Sequence, residues 1–274
     1  MTTIVFGLFG LIVGSFLNVV VLRHGVRSTL GRSGCMSCGT QLRWYDMIPV
    51  VSWLALGGRC RVCRARVSFQ YPLVEAATAV GFGFIGASSL PMFSQIIGGI
   101  ILALLICIAA YDMLHTIIPD EWAYAFAGLA LLFQFLVPHI GSFSTWMVLA
   151  GPLTALPLFA LWFFSHGRWM GLGDAKLALG IGWLLGPAEG LFAVFGAFIV
   201  GGVVSAPLLV VSSEWWRRIV QKFTPTQTSR NLVWGFTMKS EIPFGPFLIL
   251  SCIILWFSSI NGIDPLQALG LLPS

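Results

Sequence analysis

The segment Thr3–Leu22, TIVFGLFGLIVGSFLNVVVL, runs for twenty residues without a charged side chain. A helix needs about 20 apolar residues to cross the hydrocarbon core of a bilayer. In lipid every backbone N–H and C=O must find its partner inside the protein, so a lipid-exposed run of this kind folds as a helix. Further apolar runs follow, and hydropathy divides the chain into about eight transmembrane helices, near 3–22, 72–90, 95–112, 121–138, 144–165, 174–189, 190–211 and 243–262. Gly186-Pro187 is the only break within the pair at 174–211. Only 9% of the 274 residues are charged, against about 25% in a soluble domain. The expected fold class is all-α: one polytopic integral membrane bundle over 1–274. No basic stretch precedes the first run and no small-residue cleavage site follows it, so it reads as a retained helix and not a signal peptide. Abundant glycine suits close helix approach in lipid.

Charge placement orients this bundle. The 15 Lys and Arg fall in three places: eight arginines from Arg23 to Arg66; Arg168 and Lys176; and Arg217, Arg218, Lys222, Arg230 and Lys239. With eight spans and the N-terminus outside, all three places are cytoplasmic. The opposite loops, near 91–94, 139–143, 186–190 and the C-terminus, contain no Lys or Arg, which is a positive-inside pattern. The net charge of +5 is thereby assigned to topology and to anionic membrane lipids. Nucleic acid is not an expected partner, because no exposed recognition element carries patterned basic residues.

The same map puts two carboxylates at one membrane face. Asp112 ends the third run and Asp174 opens the sixth. An ionisable group at membrane depth is costly and marks a functional site. Two carboxylates sharing a site form an aspartic-protease dyad: repulsion keeps one protonated while the other stays ionised. The ionised one takes a proton from water and the protonated one polarises the peptide carbonyl. Such a pair titrates jointly. Gly171 and Gly173, in Gly171-Leu172-Gly173-Asp174, let the backbone bend and a substrate strand approach. Asp174 taken alone also reads as a helix N-cap.

Asp120, after Pro119, reads as an N-cap or a supporting hydrogen-bond acceptor, since the proline breaks the helix before it; eight residues from Asp112, it also has the chemistry of a primary catalytic group. Glu75, one turn into the second span, either pairs with a basic group of the preceding loop, shapes the site, or is an interfacial glutamate. His24, His115 and His166 fall in turns, and nothing groups them with cysteines as ligands.

Residues 23–70 form a cytoplasmic loop between the first two spans. It contains Cys35-Met36-Ser37-Cys38 and Cys60-Arg61-Val62-Cys63. Two C-x2-C knuckles offer four thiolates at tetrahedral reach, the pattern of structural zinc. A loop this short lacks a self-sufficient core, so a metal staple makes physical sense, and a reducing cytosol favours metal over disulfides. Two redox pairs, or cysteines that are merely incidental, are the alternative. Cys107 and Cys252 lie in apolar runs and read as small hydrophobes.

At these residues the chain resembles the type IV prepilin peptidase family, the bifunctional leader peptidase/N-methyltransferases of type IV pilus assembly and type II secretion. The resemblance runs nearly end to end. It is carried by Gly14-Ser15-Phe16-Leu17-Asn18-Val19-Val20, the two knuckles, Asp46-Met47-Ile48-Pro49, Ser52-Trp53-Leu54 and Tyr71-Pro72-Leu73-Val74-Glu75. Asp112 through Pro119-Asp120, Gly171 through Leu177, and Ile242-Pro243-Phe244-Gly245-Pro246 complete it. Met36, Met47 and Gln70 depart from the common pattern without touching a ligand or an aspartate. The resemblance implies a bacterial inner-membrane enzyme. Such an enzyme cuts the basic leader from prepilin or pseudopilin precursors at the cytoplasmic face, then methylates the new N-terminal amine with S-adenosylmethionine. Asp112 and Asp174 would be its catalytic aspartates, and Cys35, Cys38, Cys60 and Cys63 its zinc ligands. No G-x-G-x-x-G follows a strand, so a Rossmann site for the methyl donor is absent and any pocket must come from the loop and nearby helix ends. Two other readings stand beside this one. A different G-x-G-D intramembrane protease is disfavoured by the cysteine loop. A proton- or ion-coupled transporter would be expected to show internal repeats, and none is evident.

Overall fold

The computed structural model describes residues 1–26, 28, 31–136, 145–212 and 243–262. Among these the regular structure is helical, with two isolated β-bridges, Gly34–Gln41 and Arg59–Arg66. In chain order the helices are α1 (Thr2–Arg23), α2 (Val51–Ala55), α3 (Gln70–Ala87), α4 (Met92–His115), α5 (Asp120–Leu136), α6 (Thr145–Ser165), α7 (Leu172–Leu185), α8 (Pro187–Ser212) and α9 (Gly245–Ile260). A 3-10 turn, Trp44–Met47, precedes α2. Arg27, the loop at 139–143, the basic residues Arg217, Arg218, Lys222, Arg230 and Lys239, Ile242 and the C-terminal segment lie outside the described residues.

A helix of 14 to 26 residues falls on each apolar run expected from the sequence. By length and composition, four stretches suffice to cross a membrane: Thr2–Arg23, Met92–His115, Met147–Ser165 and Pro187–Ala206. Gly245–Ile260 is a shorter apolar helix. The boundary between α7 and α8 differs from the expected 189/190. It sits at Gly186, whose φ of +90° suits glycine, and α8 starts directly on Pro187, because proline at the first helical position sacrifices no intrahelical bond. With 14 residues, α7 rises about 21 Å. That is less than the roughly 30 Å hydrocarbon core, so α7 is shorter than a full span.

Small residues set the packing. On α1 the inward line is Gly10, Gly14, Leu17, Asn18 and Val21, while Ile4, Leu8, Phe9, Ile12 and Phe16 are exposed. That outward apolar face is what a lipid-facing helix presents. A Cβ on Gly10 would lie 2.8 Å from the Ala79 Cα and the Thr78 O of α3, and one on Gly14 would lie 2.7 Å from the Glu75 Cα. The two helices therefore approach backbone to backbone. Asn18, buried on α1, pins the pair by donating to the Tyr71 carbonyl at 3.2 Å. Two helices pack on four neighbours each: α4 on α1, α3, α5 and α9, and α7, which touches α5, α6, α8 and α9. Its Gly180 admits Phe126 of α5 and its Gly182 meets the Ala150 and Thr154 region of α6. Ile101, Leu105, Phe126, Phe133, Leu177, Ile181 and Trp256 form the fully buried centre.

This packing makes a testable distinction between glycines. Gly10→Ala forces α1 and α3 apart and is expected to cost about 1–3 kcal/mol, the usual penalty for overpacking. Gly128 of α5 has nothing within 4 Å of its Cβ position among the described residues. Gly128→Ala is therefore expected to be neutral or to gain up to about 1 kcal/mol of helix propensity. Thermal unfolding in mild detergent measures both, and equal midpoints for the two variants would contradict the backbone contact.

Candidate active site

Four helix ends converge on Ile118, in the short connection between α4 and α5. The ideal Cβ position of Gly173, in the first turn of α7, lies 3.0 Å from the Ile118 Cβ; that of Gly245, at the start of α9, lies 3.3 Å from the Ile118 Cδ1. The connection turns sharply because Thr116 adopts a left-handed conformation at φ 54° and its N–H returns to the Asp112 carbonyl at 2.7 Å. Asp112 and Asp174 are both buried here, at 4% and 9% exposure. They come from different helices, α4 and α7, and their carboxylates lie close enough to interact electrostatically. The expectation that the two share one end of the bundle agrees with this geometry.

Backbone amides hold the pair. The Gly245 N–H donates to Asp112 Oδ2 at 3.1 Å, and the Gly171 N–H donates to the Asp174 carboxylate. Gly245 heads α9 and Gly171 caps α7, so each carboxylate faces the positive end of a helix, where unpaired N–H groups favour negative charge. Gly245 also has a steric role, since a Cβ there would sit 2.5 Å from Asp112 Oδ2. The motif around Gly245 was visible in the sequence, but its contact was not, because 133 residues separate it from Asp112. Proline next to glycine at a helix start was the available signal. Gly171 caps α7 and Gly173 lies in its first turn. Neither has a positive φ; Gly173 instead gives Ile118 room.

Asp120 stands outside this pocket. It is 63% exposed and pairs with Lys176 Nζ at 2.7 Å, which ties the start of α5 to that of α7. Glu75 faces the cysteine loop and not the aspartates: its Oε2 accepts the Val50 N–H at 2.6 Å. His24 packs on Trp122 and Tyr111 and meets Glu121 at 3.2 Å. No histidine joins the cysteine cluster among the described residues.

The four cysteines do come together. The sulfurs of Cys35, Cys38, Cys60 and Cys63 all lie within 4.8 Å of one another, with Cys35 and Cys63 at 3.8 Å. A tetrahedron with metal–sulfur bonds of about 2.3 Å has edges of roughly 3.8 Å, so these residues fit a four-thiolate metal ion. Each knuckle repeats one backbone plan. Cys35 and Cys60 donate to Thr40 and Ala65 carbonyls at 2.9 and 2.8 Å, and their own carbonyls accept from Gly39 and Arg64. The left-handed position is glycine in the first knuckle and Arg64, at φ 58°, in the second. Hydrogen bonds from Thr40 pull the Cys38 thiol down to about 6, and the backbone N–H groups of Cys63 and Val62 hold Cys60 below its ordinary value. Metal binding requires such deprotonation. Arg61, inside the second knuckle, grips Asp46 of the intervening segment at 2.8 Å.

Between this loop and the ends of α1 and α3 lies a cavity of about 1250 Å³. Ser15, Asn18 and Glu75 line it from the bundle, Trp53 and Arg66 from the loop, and Leu114 connects it to the aspartate end of α4.

Two family models match the chain. One is described as "Bacterial Peptidase A24 N-terminal domain" and covers residues 8–88, which include the four cysteines and Glu75. The other is described as "Type IV leader peptidase family" and covers residues 99–206, which include both aspartates. A "Type 4 prepilin-like proteins leader peptide-processing enzyme" of Escherichia coli O78:H11 is 31% identical, over 89% of this chain and 89% of the relative. A "Prepilin leader peptidase/N-methyltransferase" of Myxococcus xanthus is 30% identical, over 96% and 94%. One of the same description from Pseudomonas aeruginosa is 30% identical, over 93% and 90%. No solved structure matches.

The cysteine geometry predicts about one metal ion per chain, as a single tetrahedral site demands. Cys60→Ser is expected to remove it. Elemental analysis of the purified protein checks this, and a metal-free wild-type protein with four reactive thiols would contradict it.

Proposed function

The chain belongs to the type IV leader peptidase family, and on that footing we propose that it cleaves the leader from prepilin or pseudopilin precursors with Asp112 and Asp174 and then N-methylates the new terminus. The observation that carries the peptidase reading is the burial of these two carboxylates at one end of the bundle, on separate helices and within electrostatic reach. The ionised aspartate accepts a proton as the water oxygen attacks the scissile carbonyl, and the protonated partner donates to the carbonyl oxygen. The tetrahedral intermediate collapses when a proton passes to the leaving nitrogen. One carboxylate cannot hold both roles at once.

The topology follows from the charges: a multi-pass protein of the bacterial inner membrane, one integral domain of about eight spans, N-terminus outside, with the aspartates and the 23–70 loop cytoplasmic. A pilin precursor carries its basic leader next to an apolar helix. Its scissile bond then lies at headgroup depth, level with the aspartates. Unwinding there exposes the peptide, since helical backbone is hydrogen-bonded and shielded. Glycine-rich helices leave room for the substrate helix to dock laterally. Cys35, Cys38, Cys60 and Cys63 hold structural zinc, with Lys176–Asp120 and Gly171 and Gly173 supporting the α5–α7 junction. S-adenosylmethionine serves as methyl donor, and the cavity under the cysteine loop offers the volume for it. Likeness over nearly the full length to prepilin-processing relatives favours this reading over a different G-x-G-D protease or a transporter.

Asp112→Asn and Asp174→Asn are each expected to lower leader cleavage by at least the 10²–10⁴-fold that general acid–base catalysis contributes, with expression retained. Purified protein in lipid is mixed with a prepilin, and mass spectrometry follows loss of the leader and gain of one methyl group when S-adenosylmethionine is added. Normal cleavage by either variant would remove the dyad. Gly245→Ala, which pushes a methyl group onto Asp112, is expected to lower kcat on the order of 10²-fold, the effect of a misplacement near 1 Å, with KM little changed.

A further inference from the structure

Glu75 is a buried carboxylate that the peptidase mechanism does not use. It is 7% exposed and lines the cavity beneath the cysteine loop. Its site is built with unusual backbone. Val50 holds φ 60° and ψ −50°, and the Val51 N–H returns to the Pro49 carbonyl at 2.6 Å. That is a classic γ-turn, a rare and strained form, centred on a β-branched residue for which positive φ is an outlier. Strain of this kind persists only where the surroundings over-determine it, and it clusters at ligand sites. Here the turn aims the Val50 N–H at Glu75 Oε2. Across the helix interface Gly14 lets α1 lie against the Glu75 backbone, and the Ser15 side chain also hydrogen-bonds to the carboxylate.

Two donors leave a carboxylate with spare acceptor capacity, since its two oxygens offer about four lone-pair positions. Among the described residues, no Lys, Arg or His lies within ion-pair distance of Glu75. The acidic neighbour that also lines the cavity, Asp46, is already paired with Arg61. A buried charge is stabilised by a hydrogen-bonded counter-charge, and the cavity leaves Glu75 open to a ligand. The amine methylation proposed above involves two primary amines, one at the new N-terminus and one on the amino-acid part of the donor. We infer that Glu75 is the receptor for a primary ammonium group in the methyl-transfer reaction. The inference rests on the methyltransferase reading, and it assigns binding and orientation, with no chemical step on Glu75 itself.

The test uses the full-length protein in lipid nanodiscs with two probes, S-adenosylmethionine and a synthetic peptide that begins at the mature pilin N-terminus, so that no cleavage is needed. Glu75→Gln keeps an oxygen for the Val50 N–H and removes the charge. Methylation is expected to fall about ten- to hundredfold, the weight of a hydrogen bond to a charged group. If the donor's Kd weakens by that factor, the bound ammonium is the donor's. If donor binding is kept and the peptide's KM rises instead, it is the new N-terminus. Either result supports the inference, and unchanged methylation overturns it. A second measurement needs no variant. With the wild-type protein, desamino analogues of the donor and of the peptide compete against the parent compounds, and one of the two is expected to bind at least about tenfold more weakly than its amino counterpart. Equal binding of both analogues overturns the assignment even if Glu75→Gln misfolds. Failure of wild-type protein to methylate the peptide at all would instead refute the methyltransferase reading.

Discussion

A carboxylate withdrawn from water needs donors, and at the aspartate end of this bundle the backbone supplies them. Asp112 and Asp174 reach no lysine or arginine among the described ion pairs. Their named partners are the N–H groups of Gly245 and Gly171, each at the N-terminal end of a helix. Fixed helix-end dipoles stabilise negative charge without adding a titrating group or a side chain that occupies the pocket. An arginine would bind a carboxylate more firmly, but it would hold both aspartates ionised and leave neither able to donate. Backbone donors are therefore the arrangement that lets the proposed dyad share a proton.

Everything around the pair follows from bringing those helix ends close enough. Glycine at 245 keeps α9 within hydrogen-bond distance of Asp112, and glycine at 173 lets Ile118 wedge between α7 and α9. The left-handed turn at Thr116 sends the chain from α4 into α5, and Lys176–Asp120 closes that side. The short, small-residue α7 fits among four neighbours because Gly180 and Gly182 replace side-chain volume with backbone contact. The cysteine loop is joined to α3 through Glu75, and Asn18 ties α1 to the start of that helix. The proposed cleavage and methylation sites are thus served by one set of helix termini, so a new N-terminus need travel only along that end of the bundle.

Much of this was legible in the sequence because the signals are local. A run of twenty apolar residues, a C-x2-C pair and an aspartate at the edge of a span each carry their meaning within one segment, and the buried Asp112 and Asp174 and the clustered cysteines were singled out that way. The α7–α8 boundary was misplaced by a few residues because hydropathy does not change across Gly186-Pro187, whereas backbone conformation does. The roles of Gly245 and Val50 were hidden for a different reason. A backbone amide has no residue-specific signature, and the contacts of both span long sequence separations. Glu75 could be singled out as an acid one turn into a span, but its partner could not be foreseen, since a β-branched residue gives no sign of a strained turn.

The central claim is that the Asp112 and Asp174 side chains meet. Proximity can be read directly from the protein carrying Asp112→Cys and Asp174→Cys, with Cys107→Ser and Cys252→Ser and the metal site intact, after treatment in lipid with a short bifunctional thiol reagent. A single intramolecular link between the two positions, found by mass spectrometry and absent when Asp112→Cys is paired with Gly186→Cys, is the expected result. Failure of the first pair to link while the second links would place the two carboxylates at opposite ends and contradict the account.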